Sequence, residues 1–370
     1  MIHPSSFAIH VTYACPLTCA SCCFSSGPKV KDSLSMECIT ETIKNIDASL
    51  FKMIAFTGGE PFLLGKNLDL AVNMAHSKGL VTRVVTSAYW AKQVQATERR
   101  LSELRDAGLD ELSISWDDFH EEQSSTRVTF DQIYNAYWAA KRLGLTVAVN
   151  IVQAENSRWD AKRVRAELGI DSESNDIVVE SPLNITGRAE NELTDVGLRS
   201  ERFLGPCPYV LSGPTLSAKK KLLACCGVIP HTDELVLDDN YEPSRLSISI
   251  ASGLSSPLLN WLYIRGPYAI LEWLSDKYGV AIPKKNSIGG NCEACRLLFH
   301  TNQYKELISQ AVDIKKSEIA GEIAILNALG FFDEGAEKSV MEIWQNGIPL
   351  IDSAILHDTG KPRDIKEGNL

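Results

Sequence analysis

The sequence predicts an α/β fold built on parallel strands, and three of its features say so. Short apolar runs recur along the first half of the 370 residues, with starts about 30 to 45 residues apart, the repeat of strand–helix–strand units. The stretches between them carry helix periodicity, and most close on a glycine shortly before the next run. Consecutive units of this kind make parallel pairing and right-handed crossovers the default.

In chain order, residues 7–12 (FAIHVT), 53–57 (MIAFT), 81–86 (VTRVVT), 112–116 (LSISW), 147–152 (VAVNIV) and 176–180 (DIVVE) read as strands. Between the first two, SMECITETIKNIDASLF offers Ser35 as an N-cap and an apolar stripe of Cys38, Ile39, Ile43, Ile46 and Leu50. ATERRLSELRDAGL, FDQIYNAYWAAKRLG and RWDAKRVRAELG read as helices stopped by Gly108, Gly144 and Gly169, because glycine accepts the backbone turn that ends a helix. After ESPLNITGRAE the rhythm stops. Residues 191–304 are richer in Gly, Pro and Cys, with short elements. Residues 305–370 turn helical through YKELISQAVDIKKSEIAGEIAILNALG and AEKSVMEIWQNG before a polar end, TGKPRDIKEGNL. The expected domains are therefore 1–190, 191–304 and 305–370.

A net charge of −10 speaks against a nucleic-acid surface, which needs a basic face. The one basic cluster, SAKKKLL (217–223), reads as a solvated turn. No charged start precedes a long apolar core, so no signal peptide is expected, and no run reaches the ~18 apolar residues of a membrane span. A cytoplasmic location follows as the expectation. There, ten cysteines serve metals or redox chemistry rather than a disulfide framework.

Four of those cysteines crowd into HVTYACPLTCASCCFSSGP at the end of the first strand. Cys15, Cys19 and Cys22 have the spacing C-x3-C-x2-C, whereas structural zinc sites draw four ligands from two close pairs. Three thiolates on a loop suit three irons of a cubane cluster and leave the fourth iron open to a small molecule. Cys38, on a helix's apolar stripe, reads as an ordinary buried thiol.

With TGGEP (57–61) after the second strand, that triplet resembles the radical S-adenosylmethionine (radical SAM) superfamily over about residues 7–190. The resemblance implies a partial (βα)6 TIM-like barrel with its site at the C-terminal ends of the strands. It implies a [4Fe–4S] cluster on Cys15, Cys19 and Cys22 that binds AdoMet and opens it to a 5′-deoxyadenosyl radical, which takes hydrogen from a substrate. Gly58 and Gly59 would let the backbone approach the cofactor amine, Glu60 would accept from its ammonium and Pro61 would stiffen the turn. Ser115 is the expected ribose contact and Asn150 a second cofactor contact. SPLNITGRA (181–189) resembles the sixth-strand region of peptide-modifying members, where backbone groups meet the adenine. In one departure, Ser21 stands before the third cysteine, where the family commonly has an aromatic; Phe24 follows instead.

The other thiols cluster again as Cys207, the pair Cys225–Cys226, and Cys292 with Cys295. By spacing alone a structural zinc site competes. Beside the N-terminal motif they resemble the C-terminal extensions that hold an auxiliary [4Fe–4S] cluster, in the shorter twitch form rather than the two-cluster SPASM form. Cys207, Cys225, Cys292 and Cys295 are the expected ligands, with Cys226 the alternative to Cys225. The thiol left over, Cys226 or Cys23, would return a hydrogen atom to a substrate radical, as peptide epimerases of this superfamily are thought to do.

WDDFHEE (116–122) leaves the fourth strand with Asp117 and His120 as proton-relay candidates; the competing reading is acids favoured at a helix N-terminus. Three functions stand open. One is a maturase that cross-links or epimerises a ribosomally made peptide. The second is a radical dehydrogenase or rearrangement enzyme for a small metabolite. The third is a glycyl-radical-enzyme activase or a cluster protein that only passes electrons. Flavodoxin or ferredoxin is the expected reductant. With a strand beginning near residue 7, leader recognition is expected from a separate protein or the helical tail.

Overall fold

The computed structural model describes residues 4–121, 128–171, 176–193, 196, 204–226 and 232–332. One compact unit runs over Met1–Ile323 and a second over Ala324–Leu370. The expected helix AEKSVMEIWQNG, the polar end TGKPRDIKEGNL and Glu122 lie outside the described residues.

Six strands carry the fold: β1 (Ser6–Thr12), β2 (Met53–Gly58), β3 (Val81–Thr86), β4 (Glu111–Ser115), β5 (Thr146–Gln153) and β6 (Ile177–Pro182). They pair in sequence order and all in parallel, the arrangement of a partial barrel. The crossovers are α1 (Met36–Asn45), α2 (Lys66–Ser77), α3 (Val94–Asp106), the short α4 (Asp118–Glu121) with α5 (Phe130–Arg142), and α6 (Ala161–Leu168). Alternation along β1 sets the two faces. Phe7, Ile9 and Val11 are fully buried in the core shared with Ile39, Ile43, Ile54 and Phe56, while His10 and Thr12 turn to the opposite face.

Local chemistry fixes the helix ends. The Ser35 hydroxyl accepts from the Cys38 N–H at 3.1 Å and caps α1. That helix stops at Asn45, with Ile46 already extended. Leu50, expected on its stripe, therefore falls past the helix and is 40% exposed. Gly169 closes α6 in the left-handed conformation at φ 68°.

A short α7 (Ala189–Glu192) follows β6. The sheet then continues beyond β1, where β7 (Thr215–Leu216) pairs in parallel, and β8 (Leu222–Leu223) and β9 (Val236–Asp238) follow antiparallel. The lysines of SAKKKLL sit at the β7–β8 turn, with Lys219 and Lys220 exposed. Helices α8 (Leu246–Leu254), α9 (Pro257–Arg265), α10 (Pro267–Tyr278), α11 (Asn291–His300) and α12 (Asn302–Ala328) complete the order. No described helix is long and apolar enough to cross a membrane.

Candidate functional site

The cysteine loop starts where β1 ends, and backbone hydrogen bonds give it a definite shape. Cys15 N–H donates to Gly27 O at 3.2 Å, Gly27 N–H to Tyr13 O at 3.3 Å, and Tyr13 N–H to Asp32 O at 2.8 Å. Inside this frame Cys22 N–H donates to Cys19 O and Ser25 N–H to Cys22 O, both at 3.1 Å. Two amides aim at sulfur, Leu17 N–H at Cys15 Sγ (3.5 Å) and Ser26 N–H at Cys22 Sγ (3.3 Å). Cys15, Cys19 and Cys22 are all free thiols. Burial pushes the Cys15 thiol up against the lowering effect of the Leu17 amide, so metal binding there must release a proton.

The turn after β2 is welded to this loop. Gly59 N–H donates to Thr12 O at 2.6 Å and Glu60 N–H to Ala14 O at 2.9 Å. A Cβ on Gly58 would lie 2.3 Å from Thr12 O, and one on Gly59 only 2.1 Å from Ala14 O. The glycines are thus required by β1 and its loop, backbone against backbone. Pro61 opens a short 3-10 turn behind them, capped by the Glu60 side chain.

Glu60 itself is fully buried. Its carboxylate accepts from Thr86 Oγ1 (2.8 Å), Ser87 N–H (3.0 Å), Ser87 Oγ (2.7 Å) and Phe62 N–H (3.2 Å). Burial raises its pKa while these donors pull it back. The expected contact from Glu60 to a cofactor ammonium thus meets a carboxylate already shared among four internal donors. Tyr89 stands beside Glu60 and Cys15, its phenol pushed up to about 12 by burial and their charges.

Ser115 and Asn150 are register partners on β4 and β5. Asn150 Nδ2 donates to Ser113 Oγ at 2.7 Å, which adds Ser113 to the same face. The acids after β4 divide their work. Asp117 is fully buried; it holds His120 Nδ1 at 2.7 Å and the His120 N–H at 3.0 Å, and its other oxygen takes Val152 N–H at 3.3 Å. Burial works against a charged His120, yet Asp117 and a hydrogen bond to Cys19 keep its pKa well above the usual imidazole value. Asp118 instead ties down Arg158, and Glu121 takes Trp159 Nε1 at 3.0 Å. The i, i+3 pair Asp117–His120 therefore reaches the cysteine loop, while its acidic neighbours anchor the next segment.

The second thiol set is assembled from three places. Cys207 lies in an irregular stretch, its N–H donating to Leu262 O at 3.2 Å. Cys225 and Cys226 follow β8, and Cys292 with Cys295 occupy the start of α11 one turn apart. All five line one cavity walled by Val210, Leu235 and Leu262. Burial pushes the Cys207 thiol up to about 11 and also raises Cys295; Cys292 is raised by its hydrogen bond to Cys226 and by burial. Cys226 also neighbours Cys23 and His10. His10 is fully buried and shares a proton with the Tyr13 hydroxyl across 3.1 Å, and burial lowers its pKa to about 4. Phe24 stacks on Tyr13 at 5.7 Å and sits 4.4 Å from the His10 ring.

Sequence reasoning missed His10, Tyr13, Tyr89 and Ser113. For His10 and Ser113 a signal was present: each is the inward residue of a strand whose alternate positions are apolar.

The parallel partial barrel carries three thiols on the loop after its first strand, locked to a Gly-Gly turn at the end of its second. Residues 9–154 match the radical SAM superfamily. It is 35% identical to the PqqA peptide cyclase of Bradyrhizobium diazoefficiens over 122 residues, 32% of this chain and 30% of that protein. It is 24% identical to YydG of Bacillus subtilis, whose name assigns it to peptide biosynthesis, over 123 residues, 32% of this chain and 38% of that one. The chain thus spans about a third of the length of these two relatives. Among solved structures, that of anSMEcpe with bound AdoMet and the Cp18Cys peptide covers 84% of this chain and 99% of its own at 14% identity and TM-score 0.49.

The superfamily implies a [4Fe–4S] cluster with AdoMet, and the residues fit. Three free soft donors sit on one loop with amides aimed at two of the sulfurs, and no competing disulfide consumes them. Among the described residues no group of three His, Cys, Asp or Glu side chains is arranged to hold a single metal ion.

Proposed function

We propose that this protein is a radical SAM maturase that modifies a ribosomally made peptide, by epimerising or cross-linking a residue. The observation that carries the reading is the gathering of five thiols, Cys207, Cys225, Cys226, Cys292 and Cys295, around one cavity, with Cys23 and His10 near Cys226. The relatives named for peptide chemistry support a peptide substrate.

In this reading Cys15, Cys19 and Cys22 hold a [4Fe–4S] cluster, and Cys207, Cys225, Cys292 and Cys295 hold a second. When bound, the first cluster and AdoMet supply the 5′-deoxyadenosyl radical that takes hydrogen from the substrate. The protein's own part is orientation and shielding. Gly58 and Gly59 fix the turn beside the cysteine loop. Ser115 and Asn150 would offer hydrogen bonds to a ribose, and the backbone of 181–189 would hold the adenine. Asp117 keeps the His120 ring turned toward Cys19. Cys226 gives its S–H hydrogen atom to the peptide radical. The sulfur radical left behind regains the thiol by one electron from a flavodoxin- or ferredoxin-type reductant and one proton from solvent.

The test is anaerobic reconstitution followed by iron counting, dithionite-driven AdoMet cleavage, and mass spectrometry of a short peptide encoded beside the protein, in D2O. About eight irons per chain, 5′-deoxyadenosine, and a single deuteron gained by the peptide support epimerisation through Cys226. Loss of two hydrogens supports cross-linking. Well-folded protein that takes up no iron and cleaves no AdoMet sinks the reading.

A further inference from the structure

The turn after β6, in the stretch SPLNITGRAE, touches both thiol sets. On one side it grips the N-terminal cysteine loop. Arg188 Nη1 donates to Cys19 O at 2.7 Å, Nη2 donates to Ser26 O, and the Arg188 backbone N–H donates to Cys22 O at 3.0 Å. Gly187, at φ 60°, presses so close that a Cβ there would lie 2.2 Å from Cys23 O. Four carbonyls of the loop are thus met by two consecutive residues from a distant part of the chain.

On the other side the same turn meets the start of α11, where Cys292 and Cys295 sit. Asn184 Oδ1 accepts from Glu293 N–H at 3.3 Å, and Glu190 Oε2 faces Arg296 Nη1 at 3.7 Å. Glu190 Oε1 also takes the Gly187 N–H at 3.0 Å, which links the two halves of the turn. Gly289, just before α11, packs against Leu183 O, where a Cβ would come within 2.3 Å.

We propose that Arg188 is a positioning residue for the cysteine loop, and that residues 183–190 brace both thiol centres as one unit. The physical case rests on the guanidinium. It is planar and permanently charged, and its fork holds two carbonyls at a fixed separation, which a lysine ammonium on a flexible stem does not reproduce. The loop has no helix or strand of its own across Cys15, Cys19 and Cys22, so this fork sets their spacing before any metal arrives. The positive charge also favours an added electron on a cluster held there. The effect on iron rests on the cluster reading above; the effect on the metal-free loop does not.

The experiment compares the full chain with Arg188→Gln and Arg188→Lys. In metal-free protein, hydrogen exchange at the Cys15, Cys22, Ser25 and Gly27 amides is expected to quicken in both variants, and with it exchange at the start of α11. In reconstituted protein, a chelator should strip the three-cysteine centre about tenfold faster in both, the scale typical of lost outer-sphere partners. The midpoint potential of that centre should fall in Arg188→Gln and stay near wild type in Arg188→Lys, a split that a purely structural role would not produce. Unchanged exchange across the loop in the folded variants overturns the brace. Wild-type protein that takes up no iron, with exchange still quickened in the variants, keeps the brace and removes the cluster reading instead.

Discussion

Cys15, Cys19 and Cys22 fall on one loop, framed by hydrogen bonds from β1, the β2 turn and Arg188. Cys207, Cys225, Cys226, Cys292 and Cys295 come from three stretches of chain and line one cavity. The two sets solve one problem, holding soft thiolates around a volume, from opposite starting points. In the first, the local sequence supplies the spacing and the sheet supplies the rigidity. In the second, tertiary packing has to supply both, through contacts such as Cys207 N–H to Leu262 O and Asn291 Nδ2 to Pro206 O at 3.2 Å. A centre of the first kind is ready once the barrel forms. A centre of the second kind depends on α10 and α11 docking.

The largest effect should come from emptying the first centre. Replacing Cys15, Cys19 and Cys22 together by alanine is expected to reduce dithionite-driven 5′-deoxyadenosine to background, measured by chromatography of quenched reactions. The fold should persist, because Phe7, Ile9 and Val11 hold β1 independently of the thiols. The far-ultraviolet circular dichroism spectrum should therefore match wild type. Substantial cleavage by the triple variant would mean that the comparison assigns the wrong centre to AdoMet.

A smaller and more telling effect is expected from Cys292→Ala with Cys295→Ala. Iron per chain should fall to about half, since the proposed second cubane is lost, while AdoMet cleavage without peptide continues within a few-fold of wild type. Peptide modification should disappear. Loss of zinc with all the iron kept would make the second centre structural, and the two sets would then differ in metal as well as in construction.

This contrast also explains what the sequence could reveal. The six strands were legible because each is an apolar run bounded by turn residues, and the C-x3-C-x2-C spacing is information carried within a single loop. Strands β7, β8 and β9 have only two or three residues each, too few for any period to register. Leu50 fits the helical stripe by count, but the extended backbone at Ile46 takes it off the helix. The pairing of Asp117 with His120 follows from their i, i+3 spacing, whereas the reach of His120 to Cys19 depends on how β4 meets β1 across the barrel. Arg188 lies within the stretch SPLNITGRA, but its grip on the cysteine loop left no signal there. A guanidinium that grips backbone carbonyls leaves no pattern in its own neighbourhood.

Cys38 provides the finest test, because it separates a thiol that packs from thiols that bind. It is 7% exposed on the buried face of α1, beside Ile39 and Ile43. Its peptide group does local work: the N–H reaches the Ser35 cap, and the carbonyl accepts from Thr42 Oγ1 at 2.7 Å. Burial raises the thiol, with Lys220 and Thr42 pulling it down. Cys38→Ala keeps every one of those backbone bonds and removes only the sulfur, so a loss of about 1 kcal/mol in unfolding free energy is expected. Iron content, cleavage and peptide modification should all match wild type. Any fall in iron would show that packing and binding thiols are not separable by neighbourhood, and the division of the remaining cysteines into two centres would have to be redrawn.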